Sequence, residues 1–369
     1  MTAEPPAAET PVPPPNLRGH AQTALRQTWS AFHPKPALYG LPALALMLAI
    51  GVATDEPGGA ILMAAGAFSA GFGAFQRVGR FHAAPMLLAA VCMAFTTALG
   101  TVLSGHLALY VLTVGLAACV LGLAASFGTG PWWVLLQGAI FFVVAGARPG
   151  DLQEAGSRAL LILAGGLVQT ISVAFLRRLA PGGFPPLSAP NATPPPADRA
   201  AWMAEARRVL RLDAPEMRYA LLLGIATAAG LLIARRLGLP NGYWAPMTVL
   251  LVLRRGGTET VLRGVQRMGG TLIGAGAATL IAAVLRPEAA TLVVLIIAAA
   301  WCAYAVQWVN YGTFSISVTS YIAFLFSLEG LPEAAVAGHR VVATLLGGVI
   351  GVLALGLARL GRHAVRLTG

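Results

Sequence analysis

The sequence predicts an all-α membrane protein of about twelve transmembrane helices, built as two parallel six-helix repeats. Three observations lead there. Hydrophobic residues make up 57% of the 369 positions, charged residues only 11%, and mean hydropathy is +0.74. Water-soluble cores stop growing at roughly 250–300 residues, so a soluble domain has no use for this much apolar surface. Apolar blocks also recur at lengths near the ~20 helical residues that cross the hydrocarbon slab. Finally, the chain repeats itself. SRALLILAGGLV (157–168) aligns with HRVVATLLGGVI (339–350), which pairs Arg158 with Arg340 and Gly165-Gly166 with Gly347-Gly348 at one constant offset.

Residues 1–36 are rich in Pro and Ala and hold no apolar core before Ala37. That pattern excludes a cleavable secretion signal and predicts a disordered cytoplasmic tail. The first repeat is expected over 37–179, with apolar blocks at 37–53, near 60–75, 84–104, 107–125, 131–147 and 156–176. A Pro-rich cytoplasmic linker occupies 180–216. Within it, DRAAWMAEARRVLRL (198–212) places Asp198 as a helix cap, with Trp202, Met203, Ala206, Val209 and Leu210 on one face. Arg199, Arg207, Arg208 and Arg211 cover the other side. The pattern suits a helix lying on an anionic leaflet, or a lead-in to the seventh span. The second repeat follows over 217–360, with blocks at 217–234, 241–253, 271–285, 290–309, 312–328 and 338–358, and a cytoplasmic tail covers 361–369.

Six spans per repeat is an even number, so both copies enter the membrane from the same side and any pathway is expected where they meet. With both termini on one face, that face collects all but six of the 25 Lys and Arg; the six are Arg148, Arg158, Arg235, Arg236, Arg286 and Arg340. Positive loops stay inside, which predicts cytoplasmic termini in an inner, cytoplasmic membrane of multi-pass topology. The +11 net charge therefore reports topology. Nucleic acid is not an expected partner, because no soluble basic module is present.

None of the fourteen acids falls in the middle of a span, where coupling carboxylates usually sit. Arginine behaves differently. In YWAPMTVLLVLRRGGTETVLRGVQRMGG (243–270), Arg254, Arg255, Arg263 and Arg267 crowd around one acid, Glu259, with Arg263 and Arg267 spaced to share a helical face. Guanidinium groups stay charged at any working pH and grip carboxylates with paired hydrogen bonds. They could recruit organic anions, or they could only set topology and bind lipid phosphate. In NYGTFSISVTSYIAF (310–324), Thr313, Ser317, Ser320 and Tyr321 share a face that could wet a pathway or glue helices; Ser315 and Thr319 fall to its side. Arg158 and Arg340, at matching outer span ends, are expected to hold loop carbonyls or an acid such as Glu333, or to pair across the outer mouth. Tyr243 and Trp244 are expected as interfacial anchors, and Pro246 as a kink. Cys92, Cys119 and Cys302 read as small buried hydrophobes. No nucleophile, metal or phosphate-cradling constellation occurs, so neither an enzyme nor a cofactor is expected.

YWAPMTVLLVLRRGGTETVLRGVQRMGGTLIGAG resembles the signature region of the fusaric acid resistance protein-like family of bacterial inner-membrane transporters. The elements carrying the likeness are Tyr243, Trp244, Arg263, Arg267, Gly270, Thr271 and Gly274. The later NYGTFSISVTSY is also similar to that family. The family includes aromatic carboxylic acid exporters, with plant aluminium-activated anion channels as distant relatives. The resemblance implies efflux of aromatic or other organic acids, often beside a periplasmic adaptor protein. Larger members carry a soluble domain between or after the membrane halves; here the linker is 180–216. An exporter of organic, aromatic carboxylates is thus expected, with a passive anion channel and a non-transporting membrane scaffold as alternatives. Organic anions and anionic lipids are the expected partners, and a homo-oligomer stays open.

Overall fold

A computed structural model describes residues 28–78, 81–179, 193–331 and 333–368, excluding the side chains of 333–337 and 358–368. Most of the predicted N-terminal tail, much of the linker and the tail side chains lie outside the described residues. Every regular element among those described is helical. A short helix α1 (Pro34–Leu38) leads into α2 (Leu41–Ala53), α3 (Pro57–Gly71), α4 (Ala84–Leu103), α5 (Leu107–Ala124), α6 (Thr129–Ala145) and α7 (Leu152–Leu179). The linker carries α8 (Arg199–Val209). Six more follow: α9 (Pro215–Arg236), α10 (Trp244–Val252), α11 (Gly257–Leu285), α12 (Ala289–Val306), α13 (Tyr311–Leu328) and α14 (Glu333–Thr368).

Among the described residues nine helices are long and apolar enough to cross a membrane. A tenth counts if Trp29–Leu38 and Leu41–Ala53, bent by 53°, form one broken span. The expected twelve crossings fall short at the brief helices, α10 with 9 residues and α6 with 17. A span of about 20 residues is needed unless protein surrounds it. The crossing helices turn apolar residues outward, as a lipid-facing surface requires. On α5, Leu109, Leu112, Leu116 and Val120 are all exposed, three or four positions apart.

The helices within each six pair in the same pattern. In the first half α3 packs on α7, α4 on α6 and α7, and α2 on α3; in the second α10 packs on α14, α11 on α13 and α14, and α9 on α10. Between halves, α9 packs on α5 and α2 on α12, the first helix of one against the fourth of the other. Glycine makes the closest of these approaches possible. A Cβ on Gly165 would stand 1.9 Å from the Met63 carbonyl oxygen, and one on Gly347 2.3 Å from that of Ala245. Both pairs obey the offset that relates Arg158 to Arg340.

The junction expected to hold a pathway is filled. One core gathers Phe68, Phe72 and Phe75 from the first half with Tyr304, Tyr321 and Phe324 from the second. Phe68 stacks on Tyr321 with ring centroids 4.0 Å apart. A second core joins Tyr110, Phe142 and Val143 to Leu223, Trp244 and Leu250. Apolar side chains projecting from both halves pack there into shared cores.

α8 forms as its sequence suggests. The Asp198 carboxylate accepts from the Ala201 N–H at 2.8 Å, and Trp202 stacks on Phe127 at 4.8 Å. Met203 and Leu210 stay exposed.

Candidate anion site

The turn between α10 and α11 is pinned by one hydroxyl. Thr260 Oγ1 donates to the carbonyls of Arg254 and Gly256 at 3.1 and 2.9 Å, geometries it can serve in alternation, and accepts from the Arg254 N–H at 2.9 Å. Chain reversal there brings three of the four sequence-selected arginines to one end of the second half, each beside an acid and an aromatic face. Arg254 and Arg263 both reach Glu259 Oε1, at 3.8 and 3.4 Å. Their guanidinium carbons lie 5.1 Å from the Trp132 ring and 4.9 Å from the Tyr311 ring. Arg255 meets Glu216 at 3.6 Å, Ser126 at 3.0 Å and the Tyr219 ring at 5.6 Å. Glu216 also takes Arg208 at 3.0 Å, which ties α8 to α9. That contact is an ion pair without hydrogen-bond alignment, since the same Glu216 oxygen lacks a hydrogen-bond partner. Arg208 also grips Glu205 at 2.6 Å, and this bond holds the Glu205 carboxyl below the usual carboxylate range.

Arg267 stands apart. Only 2% of it is exposed, its Nε has no hydrogen-bond partner, and among the described residues no ion pair includes it. Its helix is drawn inward by glycine. A Cβ on Gly270 would be 2.6 Å from that of Ser315, and one on Gly274 2.6 Å from the Ile316 carbonyl oxygen. α13 therefore packs tightly along the face next to Arg267.

The face of α13 turned toward α11 carries Ser315 and Thr319 and not Thr313 and Ser317, while Tyr321 is buried in the core. Ser315 and Thr319 are fully buried against α11. Thr313 and Ser317 donate to carbonyls of their own stretch, Asn310 and Thr313. Ser320 donates to the Gly274 carbonyl at 3.2 Å and Tyr321 to that of Ala64 at 3.4 Å. The structure thus joins Arg254, Arg255 and Arg263 at one end and sends Arg267 into the interior. It leaves Thr313, Ser317, Ser320 and Tyr321 bonded to backbone.

Arg340 was outside the selected set and belongs beside Arg267. It is 2% exposed, its guanidinium carbon sits 3.8 Å from the Trp244 ring centroid, and its Nη2 donates to Thr319 at 3.2 Å. Nε and Nη1 have no partner. The two buried guanidinium groups are near enough for their charges to interact. Its repeat mate fares differently: Arg158 donates to the Arg148 carbonyl and pairs with Glu154. Among the described residues the expected hold on loop carbonyls and an acid is therefore met by Arg158 alone; the Glu333 side chain lies outside them. Tyr243 and Trp244, expected at the interface, are buried, because nine-residue α10 is enclosed by α9 and α14. Pro246 lies in the first turn of α10, where its missing N–H costs nothing, so it does not kink the helix. The duplicated arginine was the signal in the sequence for Arg340; its burial was not.

Residues 225–354 match the family model described as fusaric acid resistance protein-like. Along this stretch the second half is similar to that family. The matched segment runs from within α9 to within α14 and contains both buried arginines. Over 141 residues, 38% of this chain, the sequence is 31% identical to "uncharacterized protein YhfK" of Escherichia coli (strain K12), of which 20% is covered. Over 146 residues, 40% of this chain, it is 29% identical to "uncharacterized protein ORF2" of Neisseria gonorrhoeae, of which 34% is covered. The aligned segments span a fifth and a third of these relatives' lengths. No solved structure matches. The apolar helices and the likeness over 225–354 together mark a multi-pass membrane protein.

Proposed function

We propose that this protein exports organic anions, aromatic carboxylic acids foremost, across the bacterial inner membrane, with both termini cytoplasmic and two parallel six-helix repeats. One observation carries the reading: Arg267 is buried in a membrane helix without a carboxylate partner among the described residues. A guanidinium in that setting carries a desolvation cost that an anionic guest would offset. Arg254, Arg255 and Arg263 stand ahead of it as a vestibule that concentrates anions. The hydroxyls of Thr313, Ser317, Ser320 and Tyr321 line the neighbouring helix, with their carbonyl bonds exchangeable for substrate. Anionic lipids fit the exposed arginines of α8, and a periplasmic adaptor and self-association complete the proposed partners.

A passive anion channel is the second reading. It is favoured by the position of Glu216, the one buried acid among the described residues, which is tied to arginines at a helix start and not free in mid-span. The test is flux of labelled benzoate in proteoliposomes of wild type and Arg267→Gln, with and without a proton uncoupler. Export that depends on Arg267 and on the gradient supports the exporter. Arg267-dependent flux indifferent to the uncoupler supports the channel. No flux in either direction leaves a membrane scaffold.

A further inference from the structure

We infer that the chain holds a single anion site, inside its second half, in which Arg340 and Arg267 together receive one carboxylate beside the Trp244 ring. This deepens the organic-anion reading and rests on it. The site is defined by donors that lack partners. Arg340 Nε and Nη1, Arg267 Nε, Trp244 Nε1 and the Thr271 and Thr344 hydroxyls are all buried without a hydrogen-bond partner. Thr271 and Thr344 line one small crevice between α11 and α14, one helical turn beyond Arg267 and Arg340 respectively. Two buried cations surrounded by spare donors, with no acid paired to either among the described residues, are complementary to an anion and to little else.

The repeat supplies an internal control. The Gly347–Ala245 contact maps onto Gly165–Met63, so Trp244, Thr248 and Thr344 correspond to Leu62, Gly66 and Ile162. The Gly348–Met268 contact maps onto Gly166–Ala90, so Arg267 and Thr271 correspond to Ala89 and Met93. Gly274 opposite Ile316 maps onto Thr96 opposite Gly138, so Thr319 corresponds to Phe141. At the positions matching Trp244, Thr248, Thr344, Arg267, Thr271 and Thr319 the first half has only apolar residues or glycine. It keeps buried hydroxyls at Thr97 and Thr101 but places no cation among them, and its one matching arginine, Arg158, is neutralised by Glu154. Duplication supplied two frames, and only one carries the chemistry.

The class of ligand follows from the charge of the donors and from the aromatic ring beside them. Two guanidinium groups can share one carboxylate through charge-assisted hydrogen bonds. Trp244, pressed against Arg340, offers its edge and N–H to whatever the carboxylate carries, which suits a flat ring.

The test uses the purified full-length protein in detergent and follows its thermal midpoint as benzoate or chloride is added, alongside export of benzoate from proteoliposomes. Benzoate is expected to raise the midpoint saturably, chloride not. Arg340→Gln should weaken the apparent affinity ~10- to 100-fold, the range for lost charged hydrogen bonds, while Arg158→Gln leaves it unchanged. Should Arg340→Gln not accumulate, Arg340→Lys serves, keeping charge and losing donors, with a ~10-fold weakening expected. A response to chloride alone, an unchanged affinity in the Arg340 variant, or an equal loss in Arg158→Gln overturns the inference. Export at the wild-type rate by Arg340→Gln also overturns it and leaves the transport reading standing. An Arg340-dependent shift in a protein that exports nothing supports the site and removes the transport reading.

Discussion

Replacing Arg267 by methionine separates a cation kept for function from one kept for architecture, because the two predict stability changes of opposite sign. Arg267 is 2% exposed, has an unpartnered Nε and forms no ion pair among the described residues. Methionine fills much of the same volume and removes the buried charge. Exchanging buried ions for apolar residues of similar size is neutral or stabilising by about 1–4 kcal/mol, whereas breaking a satisfied buried pair costs ~3–5 kcal/mol. Each kcal/mol moves a midpoint by roughly 2–4 °C in a domain of 150–250 residues. Arg267→Met should therefore raise the thermal midpoint of the detergent-solubilised protein by a few degrees, measured by loss of the monodisperse peak after heating. In the same variant benzoate export should fall to background. A midpoint lowered by about 6 °C or more would mean a structural partner was broken, and the reasoning from an uncompensated charge would be wrong.

Other consequences concern packing and the linker helix. Gly347→Val should abolish accumulation of the folded protein, because its Cβ would lie 2.3 Å from the Ala245 carbonyl oxygen, while Gly276→Ala, with open space around it, should accumulate normally; yields from size exclusion decide. Tyr321→Phe should cost less than ~1 kcal/mol, since it loses one long hydrogen bond and keeps the Phe68 stack, whereas Tyr321→Ala should cost ~3–5 kcal/mol. Glu216→Gln should break its ion pairs to Arg208 and Arg255 and expose the linker to trypsin several-fold faster, because Glu216 joins α8 to the α10–α11 turn. The Glu205 carboxyl is held below its usual range by Arg208. Its contribution is therefore fully present above the ordinary carboxylate pKa and is lost as pH falls through the depressed one. Linker proteolysis by an acid protease should accelerate below about pH 4, and Glu205→Gln should remove that dependence.

Apolar block lengths made the helices legible, because a span must satisfy its own backbone in hydrocarbon and so writes its length into composition. The Gly165-Gly166 and Gly347-Gly348 repeat was legible for a similar reason: close backbone approach leaves no alternative to glycine. Rotation about each helix axis was not legible. Thr313 and Ser317 look as suitable as Ser315 and Thr319 on a helical wheel. The face turned toward α11 is set by Gly270 and Gly274, which admit Ser315 and Thr319 at close contact. Depth was hidden as well. Trp244 reads as an interface anchor until α10 proves to be nine residues long and enclosed, and Arg340 reads as a span end until it lies under that tryptophan. The pathway expected between the halves depended on surfaces that pair through aromatic rings, Tyr304 and Tyr321 among them, so only packing could reveal that the junction is filled.

The distribution of acids gives the buried arginines their meaning. Glu154, Glu216, Glu259 and Glu329 each pair with arginines at helix ends or turns: Arg158, Arg208 with Arg255, Arg254 with Arg263, and Arg148. Several of these cations keep access to water, where an ion pair contributes little to stability. Arg267 and Arg340 have lost that access, and the need for a counter-charge is greatest where solvent screens least. A chain selected for stability alone would place an acid between them or replace both with apolar residues, as it has with Ala89 at the first-half position matching Arg267. Keeping both buried, and spending the available acids on the periphery, is the arrangement expected when the counter-charge arrives from outside the protein.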